Sequence, residues 1–158
     1  MKMQDSGFKL SNAMILELEN QLQIELPQDY KDFMLANNGG TPEEDWAFDF
    51  VELDPSKITS SIIQEFMIIY AEETMEVNDL RAGYVALVES GQIPKALLPI
   101  AEDPGGNLIC ISVSEKDYGR VYFGNHELEV PETGYIVMSL IANSFSEFIA
   151  KLYVYEDK

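Results

Sequence analysis

The chain has 158 residues, a length typical of one domain that can bury a full hydrophobic core. Its 28 acidic and 10 basic residues give a formal net charge of −18. This charge excludes unaided, direct binding to nucleic acid and argues against binding to anionic membranes, because both surfaces are themselves negative. The composition, 46% hydrophobic and 11% aromatic, is that of a folded protein, so we expect the acids on the surface of one globular domain spanning residues 1–158.

The sequence predicts no membrane-spanning segment and no secretory signal. No apolar run approaches the roughly 20 residues that cross a bilayer, and the first residues lack the apolar stretch of a secretory signal. We therefore expect a cytoplasmic protein with no membrane contact. The single cysteine, Cys110, lies in an apolar stretch and cannot form an internal disulfide, which favours a buried structural thiol.

The first forty residues predict two helices. Ser11 can cap a first helix whose apolar positions Ile15, Leu18 and Leu22 recur every three or four residues. Pro27 suits the first position of a second helix, because its missing N–H costs nothing there. The apolar stripe of that second helix is Tyr30, Phe33 and Met34. The helix is expected to end at residues that tolerate positive φ, Asn37-Asn38-Gly39-Gly40.

The middle of the chain predicts a hairpin and an inserted helix. The segment 46–51 is typical of a strand, and a turn at 54–57 leads into 58–70. The segment 58–70 fits a long strand or a buried helix, and we interpret it as a strand because β-branched residues dominate its end. Asn78 is the expected cap of a helix through Leu80, Tyr84, Leu87 and Val88, closed by Gly91.

The last third predicts four strands and a terminal helix, and with it an α+β fold. The predicted strands are Leu97 to Glu102, Leu108 to Val113, Arg120 to Asn125, and Tyr135 to Ile141. Ser144 is expected to cap a final helix whose buried stripe is Phe145, Phe148, Ile149 and Leu152. We predict a single domain with a mainly antiparallel sheet covered by N-terminal, inserted and C-terminal helices.

The residue pattern offers little for catalysis. The nearest candidate for a metal site is Glu102-Asp103 joined by His126-Glu127, but acidic pairs are common in so acidic a chain. No nucleophile-elbow motif occurs, and the turn 103–107 lacks a phosphate-binding glycine pattern. We therefore expect no catalytic residue, metal or cofactor, and His126 is interpreted as structural. A small hydrolase that uses paired carboxylates remains an alternative.

The acidic segments carry the stronger functional signal. A charge of −18 destabilises a compact state by self-repulsion, so it favours a role in steering toward a cationic partner, although any single acidic run can be a solvated face. Trp46 is either an aromatic anchor of an interface or part of the core. A second acidic stretch runs from Glu72 to Asp79. We predict that the partner-binding residues are Glu43, Glu44, Asp45, Trp46, Asp49, Glu52 and Asp54.

Four segments, taken in order, carry a family resemblance. The first is a leucine-proline link into a helix that ends in Asn-Gly-Gly, and the second is an alanine-acid strand followed by a glycine turn. The third is a valine-tyrosine-phenylalanine strand ending in His-Glu, where the family often has Trp-Asp before the histidine and this chain has Gly-Asn. The fourth is an alanine-x-serine-phenylalanine-x-x-phenylalanine segment. The four segments are residues 24–40, 94–107, 119–127 and 142–148.

These segments resemble the SUKH superfamily of bacterial toxin-immunity proteins, which are related to fungal cell-wall synthesis regulators. The resemblance covers residues 12 to 153, which we take as the core of the domain. It implies a non-enzymatic α+β protein that binds and neutralises a cognate protein toxin. The resemblance favours a toxin of the nuclease type. Such a toxin would be basic, because a nuclease must hold negatively charged nucleic acid. The alternative is an intracellular scaffold or regulatory interaction module like the fungal relatives.

Overall fold

The computed structural model describes residues 1–52, 54 and 56–157 of the chain. It confirms the α+β class, with helices packed against antiparallel sheets. The helices of this part of the chain are α1 (Asn12–Leu22), α2 (Gln28–Ala36), α3 (Leu80–Glu89) and α4 (Phe145–Lys151). The strands are β1 (Met3–Gln4), β2 (Thr41–Pro42), β3 (Trp46–Val51), β4 (Ile58–Ile62), β5 (Glu65–Phe66), β6 (Leu97–Glu102), β7 (Leu108–Ser112), β8 (Val121–Glu129), β9 (Ile136–Ala142) and β10 (Tyr153–Val154).

The strands form three sheets in the described residues. The largest has five strands in the order β5-β6-β7-β8-β9, and every neighbouring pair is antiparallel. A three-stranded sheet has the order β10-β3-β4, and β1 pairs with β2 in a third. The three very short strands β1, β2 and β10 were not predicted, because two residues are too few to show an alternating pattern.

Local sequence explains where the helices begin. The Ser11 hydroxyl accepts a hydrogen bond from the Met14 amide at 3.2 Å, which confirms the predicted cap of α1. The Ser144 hydroxyl caps α4 in the same way. The predicted cap of α3 was wrong by one residue, since Asp79 accepts from the Ala82 amide. Pro27 likewise occupies the cap position of α2 rather than its first helical position.

The segment 58–70 is not one long strand. It contributes β4 to the three-stranded sheet and β5 to the five-stranded sheet, and the chain crosses between the sheets at Ile63 and Gln64. The amide of Ile63 still bonds to the carbonyl of Trp46 on β3, whereas the amide of Gln64 bonds to the carbonyl of Glu102 on β6. The predicted β3–β4 hairpin is confirmed. Its turn contains Leu53 and Pro55, which lie outside the described residues.

The centre of the five-stranded sheet is covered on both faces. Residues 97–101 of β6 and 109–112 of β7 are all buried, so their side chains meet protein on either side of the sheet. Such strands have continuous apolar sequences rather than alternating ones. On the helical side, the ring of Phe33 in α2 lies 4.9 Å from that of Phe66 and 5.0 Å from that of Phe145, measured between ring centres.

The β3–β4 hairpin packs on the five-stranded sheet through aromatic rings. Phe48 and Phe50 point to the same side of β3, and both contact Phe123 of β8, with ring centres 5.7 and 4.1 Å apart. The hydroxyl of Ser139 on β9 donates to the carbonyl of Val51 at 3.1 Å. These contacts fix the hairpin, along which the predicted functional residues lie, against β8 and β9.

Candidate functional site

The predicted partner-binding acids follow the β3–β4 hairpin from one end to the other. We call them the acidic strip, and all are exposed: Glu43, Glu44, Asp45, Asp49, Glu52 and Asp54. The first three occupy the turn between β2 and β3, and the last two follow the far end of β3. Since a strand rises about 3.3 Å per residue, the six residues of β3 separate these two groups by roughly 20 Å. The strip is therefore an elongated surface and not a compact cluster.

Trp46 does not face solvent with the acids around it. It is half-buried at the start of β3 and packs against the hydrophobic core, on the same side of the strand as Phe48 and Phe50. The position therefore matches the core-packing interpretation of this residue.

Asp49 lies on the opposite side of β3 and is tied to the C-terminal strand. Its carboxylate accepts a hydrogen bond from the hydroxyl of Tyr153 at 2.7 Å. That bond, together with partial burial, raises the pKa of Tyr153, because a phenol that donates to a carboxylate resists losing its proton. Asp49 is exposed, but its side chain has a structural role as well.

A groove lies beside the far end of the acidic strip. It has a volume of about 310 Å³ and runs between the hairpin and strands β8 and β9. Its floor is apolar and its rim carries the carboxylates of Glu52 and Asp54. The lining residues are Phe50, Val51, Glu52, Asp54, Phe123, Asn125, Leu128, Val137 and Ser139. Asn125 belongs to the Gly-Asn pair at which the sequence departs from the family pattern.

Local hydrogen bonds fix the two rim carboxylates. Glu52 accepts from the hydroxyl of Thr59 across the hairpin at 2.6 Å. Asp54 accepts from the hydroxyl and the amide of Ser56, at 2.7 and 3.0 Å. The Ser56 bonds lower the pKa of Asp54, because they stabilise its charged form. The rim thus presents oriented negative charge, which suits a lysine or arginine on a protein surface.

The metal-site candidate of the sequence is not assembled. Asp103 is buried, and its carboxylate accepts from the amides of Gly105 and Asn107 in its own turn and from the hydroxyl of Ser61 on β4. His126 is exposed, and its Nδ1 lies 2.7 Å from the Asn107 side-chain oxygen. In the described ranges, no group of three or more histidine, cysteine, aspartate or glutamate side chains is placed to hold a metal ion.

Cys110 is fully buried in β7, and this burial raises the pKa of its thiol, which keeps it in the unreactive protonated form.

A pair of acids that the sequence did not single out lies in the same five-stranded sheet. Glu65 of β5 and Glu102 of β6 are direct partners in the strand register. Partial burial of Glu102, followed by the charge of Glu65 and a hydrogen bond between the two side chains, raises the pKa of Glu102. Only the register reveals this pair.

The fold is that of an α+β protein in which a β-hairpin carries exposed acids and borders a groove with an acidic rim. The chain belongs to the SMI1 / KNR4 family (SUKH-1), whose family model matches residues 9–151. It is 30% identical over 154 residues to the SPbeta prophage-derived uncharacterized protein YokK of Bacillus subtilis (strain 168), a match that covers 90% of this chain and 74% of that protein. The family membership predicted from the sequence is confirmed. Across the described residues, every helix is too short or too polar to cross a membrane.

Proposed function

We propose that this protein is a non-enzymatic immunity protein that binds a basic toxin of the nuclease type in the cytoplasm and neutralises it. The observation that carries the proposal is the unpaired charge of the acidic strip. Among the described residues, none of its six carboxylates forms an ion pair with a lysine or arginine of this chain. Cations supplied by a partner would complete this surface.

The charge of the strip fits the requirement of a nuclease inhibitor. A nuclease that grips phosphate must concentrate lysine and arginine at its substrate site. An elongated row of carboxylates can occupy such a surface and compete with nucleic acid for it. Long-range attraction between the two proteins also speeds their encounter, which matters when a toxin has to be captured before it acts.

The groove adds a place for an apolar contact. Interfaces derive most of their affinity from a few side chains in desolvated pockets, surrounded by polar contacts that exclude water. The apolar floor formed by Phe50, Phe123 and Leu128 can accept an aromatic or aliphatic side chain of the toxin. The carboxylates of Glu52 and Asp54 would then pair with basic residues that flank that side chain.

A growth assay tests this function. An immunity protein is expected beside the gene of a large secreted toxin, so the gene neighbourhood is examined first. The probe is the C-terminal domain of the secreted protein found there, expressed in a bacterial host with and without this chain. We expect growth to be restored by the natural sequence and lost with the variant E43K/E44K/D45K. A matched variant, E25K/E89K/E115K, reverses three exposed glutamates far from the hairpin and should still protect.

Each outcome has a definite meaning. Protection lost equally in both variants would show that net charge matters and that the strip does not. Protection retained in both folded variants would place the interface elsewhere. If the neighbouring domain were harmless, or the natural protein did not bind it, the immunity function would be rejected. The scaffold or regulatory role of the fungal relatives would then be the function to examine.

A further inference from the structure

A second surface feature lies outside the acidic strip and the groove. Residues 71–77, which we call the 71–77 loop, connect the buried segment ending at Tyr70 to the cap of α3. The loop carries two apolar side chains in solvent, with Met75 fully exposed and Val77 84% exposed. Single exposed apolar residues are ordinary, but two at this degree of exposure on one short loop are not.

The base of the loop is held by Asp79, which is 1% exposed. Its carboxylate accepts hydrogen bonds from the amide and hydroxyl of Thr74, at 3.0 and 2.9 Å, and from the Ala82 amide at the start of α3. The Thr74 hydroxyl in turn accepts from the Glu76 amide at 3.1 Å. Asp79 is therefore a structural residue, and only the other acids of the second acidic stretch face solvent.

The segments on both sides of the loop are also fixed. The hydroxyl of Tyr70 donates to the side chain of Asn78 at 2.7 Å, and the guanidinium of Arg81 donates to the carbonyl of Tyr70. The backbone of Ile68 pairs with that of Asp79 in a parallel bridge. A loop tied in this way has lost much of its conformational freedom before any partner arrives, which removes part of the entropic cost of binding.

The charge around the loop selects the class of partner. Glu72, Glu73 and Glu76 are exposed beside Met75 and Val77, and Glu65 lies close to the base through its bond from Asn78. Partial burial and then the charge of Glu76 raise the pKa of Tyr70, as expected in a negative environment. A second copy of this acidic chain, or an anionic membrane, would be repelled from such a surface. A basic protein would be attracted.

We propose that the 71–77 loop is a preformed binding loop that inserts Met75 and Val77 into an apolar pocket, rimmed by lysine or arginine, on a basic protein. The loop shares no residue with the acidic strip or the groove. The basic protein that binds the loop therefore need not be the toxin. Burial of the two side chains supplies affinity, and the flanking glutamates pair with the basic rim.

Site-specific photo-cross-linking in the cells that produce the protein tests the proposal. A benzophenone amino acid replaces Met75 in one variant of the full chain, Val77 in a second, and Leu16 in a control. Leu16 is 57% exposed on α1 and is not part of the loop. The cross-linked protein is identified, purified, and its affinity measured for the natural chain and for M75S/V77S and L16S.

We expect one basic protein cross-linked from positions 75 and 77 and not from 16, with the contact mapped to an apolar pocket beside lysine or arginine. M75S/V77S should weaken its binding at least about tenfold, and L16S should leave it unchanged. No adduct specific to the loop, an acidic partner, or equal affinity for M75S/V77S would overturn the proposal. The growth assay above decides the immunity function separately, because its variants leave the loop intact.

Discussion

The side chain of Asn38 connects three parts of the chain. Its Nδ2 donates to the carbonyls of Phe8 and Ile69, and its Oδ1 accepts from the amide of Ile69, all within 2.9 Å. The glycine after it has a φ of +62°, and a Cβ atom there would lie 2.2 Å from the carbonyl oxygen of Met67. The Asn-Gly-Gly part of the family pattern is thus explained by packing and backbone geometry.

Replacing Asn38 by alanine tests this role. The change would leave one buried amide and one buried carbonyl of Ile69 without partners, and each such loss costs about 1–3 kcal/mol. We expect N38A to lower the free energy of unfolding by about 2–4 kcal/mol, measured by urea denaturation. An exposed neighbour, Asn37, gives the control N37A. Equal stabilities for the two variants would contradict the role assigned to Asn38.

Phe33 is the second residue whose contribution can be measured. It belongs to the apolar stripe predicted for the second helix, and it is half-buried between the rings of Phe66 and Phe145. Truncation of a buried phenylalanine typically costs about 3–5 kcal/mol, and partial exposure places F33A at the low end, at about 3 kcal/mol. Thermal unfolding of F33A and of the more conservative F33L provides the readout. A midpoint unchanged in F33A would show that this ring does not stabilise the core.

Among the helices and strands, those with a clear local signal in the sequence were predicted. Strands β3 and β6 and the capped helices α1 and α4 follow from alternation, apolar runs and serine caps. The break within 58–70 could not be predicted, because the apolar sequence continues across it and only the arrangement of two sheets divides it. The same reason applies to the groove, which is formed by the hairpin and by β8 and β9, residues distant in sequence.

The Glu65–Glu102 pair, which joins two strands, makes the stability of the folded protein depend on pH. A raised pKa means that the folded state binds the proton of Glu102 more tightly than the unfolded chain, where the ordinary value is 4.5. The folded protein therefore loses stability as the pH rises from about 4.5 through the raised pKa, and the loss is complete above it. Replacing Glu102 by glutamine removes this effect, since glutamine carries no charge at any pH.

We expect E102Q to gain stability relative to the natural protein as the pH is raised from about 4 to 7. The measurement is the free energy of unfolding by urea at several pH values, with E115Q, an exposed site outside the pair, as the control. A difference between E102Q and the natural protein that stayed constant over this range would show that Glu102 does not titrate as described.

For the whole molecule, the excess of acidic over basic residues is the dominant property. The net charge of −18 opposes folding by self-repulsion, and the described residues contain only two ion pairs, Lys31 with Glu19 and Lys151 with Glu147. Composition alone predicted a cationic partner, and the structure shows the predicted acids spread along one hairpin. Which of the acidic surfaces a partner contacts is decided by shape and register, and these are not readable from the sequence.

The central claim is that the acidic strip captures a basic toxin, and association kinetics test it most directly. The rate constant for binding the probe domain of the growth assay is measured at low and at high salt for the natural protein, E43K/E44K/D45K and E25K/E89K/E115K, with circular dichroism as the folding control. We predict that the strip variant associates at least about tenfold more slowly at low salt and depends less on salt, whereas the matched variant changes far less. Equal rates for the two folded variants at both salt concentrations would contradict the account.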